Sequence, residues 1–196
     1  MNIALDIGHA NNTGARGLDG LEEHSTAKTI AYHLAYMLRA RGHAVTIIDF
    51  PRLSNGADLT ATVEAINAGG YDISISLHCD SSDSDTACGA HVCHHRNYHS
   101  DGSYTDSPSG KRLAEAIAKP LCKLMPGRAD HVQARPDRSC KPNKSSLYVL
   151  RETIPPAVLV ECGFITNFDD AALMEGNPCA IACAIAQGVD AYTLNQ

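Results

Sequence analysis

Short apolar runs alternate with longer segments of helical periodicity, and this alternation constrains the fold more than any other feature. Residues 3–7, 44–49, 72–77, 89–95, 147–150 and 157–160 read as strands. Between the first two lies a helix over residues 21–41, with Ala27, Ile30, Leu34 and Leu38 on one face and Gly42 as its stop. A shorter helix is expected after the cap candidate Asp58, burying Val63 and Ile66 and ending at Gly69 and Gly70. Ser107 and Pro108 open a third, with Leu113, Ile117, Leu121 and Leu124 as its apolar face and Pro120 expected to kink or shorten it. The last helix starts at Asn177 and Pro178 and runs to about Ala191; small apolar residues on all sides predict its burial. This order implies an α/β sheet covered by helices on both faces. No linker divides the chain, so a single domain over residues 1–196 is expected.

The composition excludes several classes. With 44% apolar and 19% charged residues the chain reads as an ordinary globular protein, and its net charge of -6 speaks against a nucleic-acid surface. The start MNIALDIGHA lacks a basic region and is interrupted by Asp6, so it is neither a signal peptide nor a membrane span, and no membrane insertion is expected. The eight cysteines are scattered with no CxxC pair, and free thiols are the expectation.

Three expected strands end in residues capable of chemistry: the first at His9, the third at His78 and the last at Glu161. Ligands of open α/β sheets collect beyond the carboxyl ends of the strands, so these residues would meet in one crevice. The first helix supplies a fourth group. Glu23 precedes Ala27, Ile30 and Leu34 at helical spacing and faces the sheet, whereas Glu22 leads into the polar face of Thr26, Thr29 and His33. Two imidazoles and one carboxylate form the set used by catalytic zinc, with a fourth position left for water. Zinc brings the pKa of that water to about 7. A nearby carboxylate, Glu161, would carry the proton and brace the tetrahedral intermediate. No phosphate-binding glycine loop and no GxSxG elbow is present, which disfavours phosphoryl transfer and serine hydrolysis.

Each residue also has a plain structural reading. A histidine after glycine at a strand end is commonly a hydrogen-bonded loop residue, and a glutamate in a first helical turn is favoured by the helix dipole. Glu161 resists that reading most, because a carboxylate inside an apolar strand is costly unless paired. Core packing is expected of Cys179 and Cys183, and the cluster His91, His94, His95 and His99 is not read as a second metal site. A basic stretch with Arg128, Arg135, Arg138, Lys141 and Lys144 is either a solvated loop or a clamp on an anionic substrate.

The segments IALDIGHA, GLEEHSTAKTIAYHL, DISISLHCDSS and PPAVLVECGFITN, in that order, resemble the zinc-dependent N-acetylmuramoyl-L-alanine amidases of bacterial wall-remodelling enzymes and phage endolysins. The resemblance runs from Ile3 to the final helix, and the closing motif through Glu161, Cys162, Gly163, Phe164 and Asn167 is its most specific part. It implies His9, Glu23 and His78 as ligands of one zinc ion and Glu161 as the catalytic glutamate. It also implies a mixed, mostly parallel sheet of about six strands. The implied reaction cleaves the amide between N-acetylmuramic acid and the L-alanine of the stem peptide, with peptidoglycan as partner. Asp80, Arg135 and Asn167 are the candidate substrate contacts. Two departures stand out: Ala10, Asn11, Asn12 and Thr13 form a shortened stretch after the first histidine, and Asp80 holds a position the family usually gives to Asn.

Two other readings remain at this point: a wall-binding module that has lost catalysis, and a zinc peptidase acting within the stem peptide. The expected place of action is the cell wall, either as a phage lysin released by a holin or as a domain excised from a secreted protein. The sequence sets no oligomeric state.

Overall fold

A computed structural model describes residues 1–51, 54–99, 101–136 and 147–194. In chain order the elements are β1 (Asn2–Ile7), α1 (Glu23–Ala40), β2 (Ala44–Ile48), α2 (Asn55–Ala68), β3 (Ile73–Asp80), β4 (His91–Tyr98) and β5 (Tyr104–Asp106). They continue with α3 (Pro108–Leu124), β6 (Val132–Pro136), α4 (Tyr148–Glu152), β7 (Ala157–Phe164), α5 (Phe168–Gly176) and α6 (Pro178–Thr193). One mixed sheet runs β2-β1-β3-β7-β4-β5, with β6 also paired to β4. The first four of these strands are parallel, β4 is antiparallel to β7 and β5, and β6 runs parallel to β4. The expected α/β architecture is the observed one.

Alternation along the strands divides the core between the two faces. Ile3, Leu5 and Ile7 of β1, Ile73, Ile75 and Leu77 of β3, and Val158 and Val160 of β7 pack against α1, α3 and α6. Each fully buried side chain of this size contributes roughly 1.5–3 kcal/mol. On the opposite face Ala4, Ile48, Cys93 and Leu159 meet Ile66 of α2 and Val149 and Leu150 of α4. The helices α3 and α6 touch backbone to backbone at Gly188, where an added Cβ would lie 2.4 Å from Ile117 Cα and 2.7 Å from the Ala116 oxygen.

Several expectations need correction. Residues 147–150 are not a strand: Leu147 precedes α4, and the apolar run forms a helical turn that buries Val149 and Leu150. The start of α2 is Asn55 after Ser54, so Asp58 falls inside the first turn, where its carboxylate complements the helix dipole. Pro120 lies within α3 without ending it. β3 and β7 extend to Asp80 and Phe164, which puts His78 and Glu161 inside strands rather than at their ends. Cys179 is exposed and Cys183 half-buried, so neither is a core residue; seven described cysteines are free thiols. The elements β5, β6 and α5 were not anticipated. No helix among the described residues is long and apolar enough to cross a membrane.

Candidate active site

His9 follows β1 in a left-handed backbone conformation, φ 59°, which is uncommon for a residue with a side chain. Its loop is braced locally. Asn12 Oδ1 lies 3.0 Å from His9 Nδ1 and accepts from the Gly14 N–H at 2.8 Å, and His24 Nδ1 lies 2.8 Å from the Gly8 carbonyl. Engagement of Nδ1 leaves His9 Nε2 aimed at Glu23 Oε2, 3.4 Å away. Gly8 is required by close approach: a Cβ there would lie 2.2 Å from the His78 ring.

Glu23 opens α1 on its buried face and is 4% exposed. Its Oε1 lies 2.9 Å from His78 Nδ1 and accepts from the Cys79 N–H at 3.2 Å, while Oε2 accepts from the Ala15 N–H at 2.8 Å. Burial raises the Glu23 pKa, but His78, the Ala15 N–H and His9 outweigh it and hold the carboxyl below its ordinary value. The His78 ring meets His9 edge to face, with centroids 5.1 Å apart. Burial lowers the His78 pKa, yet the hydrogen bond to Glu23 and the charges of Glu161, Glu23 and Asp6 lift it to about 9. Carboxylates thus converge on His78 and stabilise positive charge at this spot. Ligand atoms of His9, Glu23 and His78 all lie within 4.8 Å of one another. Two imidazoles and a carboxylate at this separation fit zinc.

Glu161 pairs with His78 across β3 and β7. The residue is half-buried, and its Oε2 is sealed without a hydrogen-bond partner among the described residues. Burial, reinforced by Asp80 and Glu23 and opposed by His78 and Arg135, pushes its pKa up to about 7. A carboxyl with that value exchanges protons readily near neutrality. Beneath the site Asp6 accepts a 2.5 Å hydrogen bond from Ser76 Oγ, and burial raises its pKa to about 6.

A model of the family described as N-acetylmuramoyl-L-alanine amidase matches residues 3–191. The chain belongs to this family. LytC, an N-acetylmuramoyl-L-alanine amidase of Bacillus subtilis (strain 168), is 30% identical over 178 residues, covering 88% of this chain and 31% of LytC. The chain therefore spans about a third of that relative's length. AmiA, the amidase of Escherichia coli (strain K12), is 28% identical over an alignment of 224 residues, which covers 97% of this chain and 75% of AmiA. Among solved structures, the catalytic domain of the CD27L endolysin targeting Clostridia difficile superposes with TM-score 0.76 at 26% identity, covering 100% of this chain and 98% of that one. The amidase Ami1 of Mycobacterium smegmatis shares the fold at TM-score 0.81 and 20% identity, with coverage of 100% and 98%.

Around this amidase-family centre the expected substrate contacts fall in different places. Asp80 ends β3 at the rim; its Oδ2 lies 4.0 Å from both His91 Nε2 and Arg128 Nη1. Arg135 directs Nε at Cys93 Sγ, 3.3 Å away, and its charge reaches Glu161. Asn167 caps α5, accepting from the Asp169 and Asp170 N–H groups at 3.1 and 3.2 Å, and donates to the Asp85 carbonyl at 3.1 Å. Of the basic stretch, Arg128 is engaged by Asp130 at 3.1 Å, and Arg138, Lys141 and Lys144 lie outside the described residues. A groove of about 680 Å³ between α3 and α6, lined in part by Arg112, Lys119, Lys123 and Tyr192, contains none of these residues.

Sequence reasoning passed over three supporting groups. Asp170 is buried and accepts from the Gly89 and Phe164 N–H groups at 2.7 and 2.8 Å, tying the end of β7 to the approach to β4. His24 holds the His9 loop. His91, set aside within a histidine cluster, is 1% exposed and lies opposite Glu161 in the register of β4 and β7.

Proposed function

We propose that this chain is a zinc-dependent N-acetylmuramoyl-L-alanine amidase, one catalytic domain over residues 1–196 that hydrolyses the amide between N-acetylmuramic acid and L-alanine in peptidoglycan. The observation that carries this reading is the His9–Glu23–His78 cluster beside a desolvated Glu161. His9, Glu23 and His78 would hold one zinc ion. That ion would supply Lewis acidity and an acidified water.

The chain's own residues divide the remaining work. Asn12 fixes the His9 ring, and the Ala15 and Cys79 N–H groups fix the Glu23 carboxylate, so the donors are oriented before any ligand arrives. Glu161 accepts a proton from the attacking water and delivers it to the nitrogen of the departing L-alanine. Water's oxygen ends on the lactyl carbonyl carbon, the C–N bond breaks, and the peptide leaves with a free amino terminus. Asp80 and Arg135 at the rim are the candidate contacts for the stem peptide, and Asn167 would act by holding the Asp85 loop beside it. Action at the cell wall follows from this substrate.

Digestion of purified peptidoglycan with and without chelator, followed by mass analysis, tests the reading. Stem peptides beginning with L-alanine, lost on chelation and restored by zinc, are the expected products. L-alanine left on the sugar would assign a peptidase instead, and pelleting with the wall without new amino termini would assign a binding module.

A further inference from the structure

The peptide planes around His9 are pinned, and one of the pins is a side chain. The Gly8 N–H donates to the Leu77 carbonyl at 3.0 Å, and the His9 carbonyl accepts from the Asn12 N–H at 3.1 Å. Between them lies the Gly8–His9 peptide, whose carbonyl stands 2.8 Å from His24 Nδ1. A carbonyl only accepts, so Nδ1 carries the hydrogen of this bond. The same plane sets the φ of His9, because the Gly8 carbonyl and the His9 nitrogen are coplanar. At 59° that angle is one a residue with a Cβ holds only where its surroundings over-determine it. Rotating the plane toward an ordinary negative φ would swing the Gly8 oxygen off the imidazole.

Behind the ring stands an anchor. His24 and Lys28 lie one turn apart on α1, and both turn to Asp49, the residue after β2. Lys28 Nζ donates to Asp49 Oδ2 at 2.7 Å, and His24 Nε2 lies at ion-pair distance, 3.7 Å, from Asp49 Oδ1. The side chains of His24 and Asp49 are each only 14% exposed. With one nitrogen on the Gly8 carbonyl and the other toward Asp49, neither is left for the donor cluster, although His24 is the direct neighbour of Glu23.

We propose that His24 is a positioning residue for His9: its ring latches the Gly8–His9 peptide, holds His9 in the left-handed conformation and so keeps His9 Nε2 turned to Glu23 Oε2. This inference rests on the zinc-amidase reading above, in which His9 is a ligand. Asp49, itself gripped by Lys28, keeps the imidazole in place from behind. The latch is set before any metal arrives. Its effect is therefore carried by the affinity for zinc, and turnover falls only through loss of the ion.

The test compares His24→Leu, which deletes the donor, with His24→Asn, whose amide nitrogen takes the place of Nδ1. Zinc affinity is measured by competition with a chromophoric chelator. His24→Leu should bind zinc about 10–100-fold more weakly, the usual loss for an outer-sphere partner, and His24→Asn should recover most of it. On purified peptidoglycan fragments with zinc in excess, both variants should return to kcat and KM near wild type. Wild-type affinity in His24→Leu, an equal loss in both variants, or a kcat that stays low at saturating zinc overturns the assignment. A crystal structure of metal-free His24→Leu reads the latch without zinc: the Gly8 carbonyl should have turned, with His9 at negative φ. An unturned peptide refutes the latch whatever the affinity. Should His24→Leu not fold, His24→Ala takes its place in both measurements. A wild-type chain that binds zinc but releases no stem peptides refutes the amidase reading alone and leaves the latch to be decided by affinity and geometry.

Discussion

Replacing Glu161 with glutamine should cost all turnover and yet stabilise the metal-free protein at alkaline pH. Burial lifts the Glu161 pKa from 4.5 to about 7. At ~1.4 kcal/mol per unit, ionising this carboxyl costs the folded state up to about 3 kcal/mol relative to the unfolded chain. The folded form keeps a proton that the unfolded form has already released. Its contribution is therefore complete below about pH 4.5, declines as pH rises, and is gone above about 7. Glu161 is only half-buried, and a glutamine amide at the same place still needs partners. Together these reduce the expected gain of Glu161→Gln to about 1–2 kcal/mol at pH 8, with a smaller gain at pH 5. Urea unfolding of both proteins in chelator at the two pH values measures the difference directly, and zinc content confirms that the centre survives. A variant less stable than wild type at pH 8, or a gain equal at both pH values, would refute the claim that desolvation of this carboxylate sets its pKa.

The proposed mechanism needs Glu161 ionised, so kcat/KM should rise with pH along an acid limb whose midpoint is at or below about 7, because a bound cation can only lower the metal-free value. A midpoint above 8 would point to another base. Gly8→Ala drives a Cβ to 2.2 Å from the His78 ring, and zinc retention on dialysis against weak chelator should fall well before the melting temperature does. His9→Ala removes one of three proposed ligands and should abolish stoichiometric zinc binding while circular dichroism stays unchanged. Gly188→Ala places a methyl group 2.4 Å from Ile117 Cα and should destabilise the fold by about 1–3 kcal/mol, read from urea midpoints, without changing KM.

The proposed metal donors are legible because each breaks a pattern. Glu23 sits on the apolar stripe of α1, and His9 and His78 follow apolar runs that need no histidine. Glu161 is an acid among valines and leucines, and the cost of burying it marks it. Where pattern and structure diverge, the reason is physical. Residues 147–150 are four apolar positions, too few to separate a period of 2 from one of 3.6, and packing on the sheet decided for helix. The strands β5 and β6 are short and polar at the sheet margin, so they carry no apolar signature. The place of His91 opposite Glu161 has no signature in the sequence, because the two are far apart along the chain and one strand's alternation says nothing about which residue lies opposite.

The position of β7 has a consequence for how the molecule assembles. It is the last strand in the chain, yet it sits in the interior of the sheet, between β3 and β4. A chain synthesised through β3 holds every proposed metal donor but not Glu161, the proposed acid–base group, and the slot between β3 and β4 is filled only when residues 157–164 arrive. Closing that slot is a long-range event and a slow one. Because Glu161 travels on β7, the proposed hydrolytic competence should arrive only when the sheet is complete, leaving a nascent chain disarmed by its own topology.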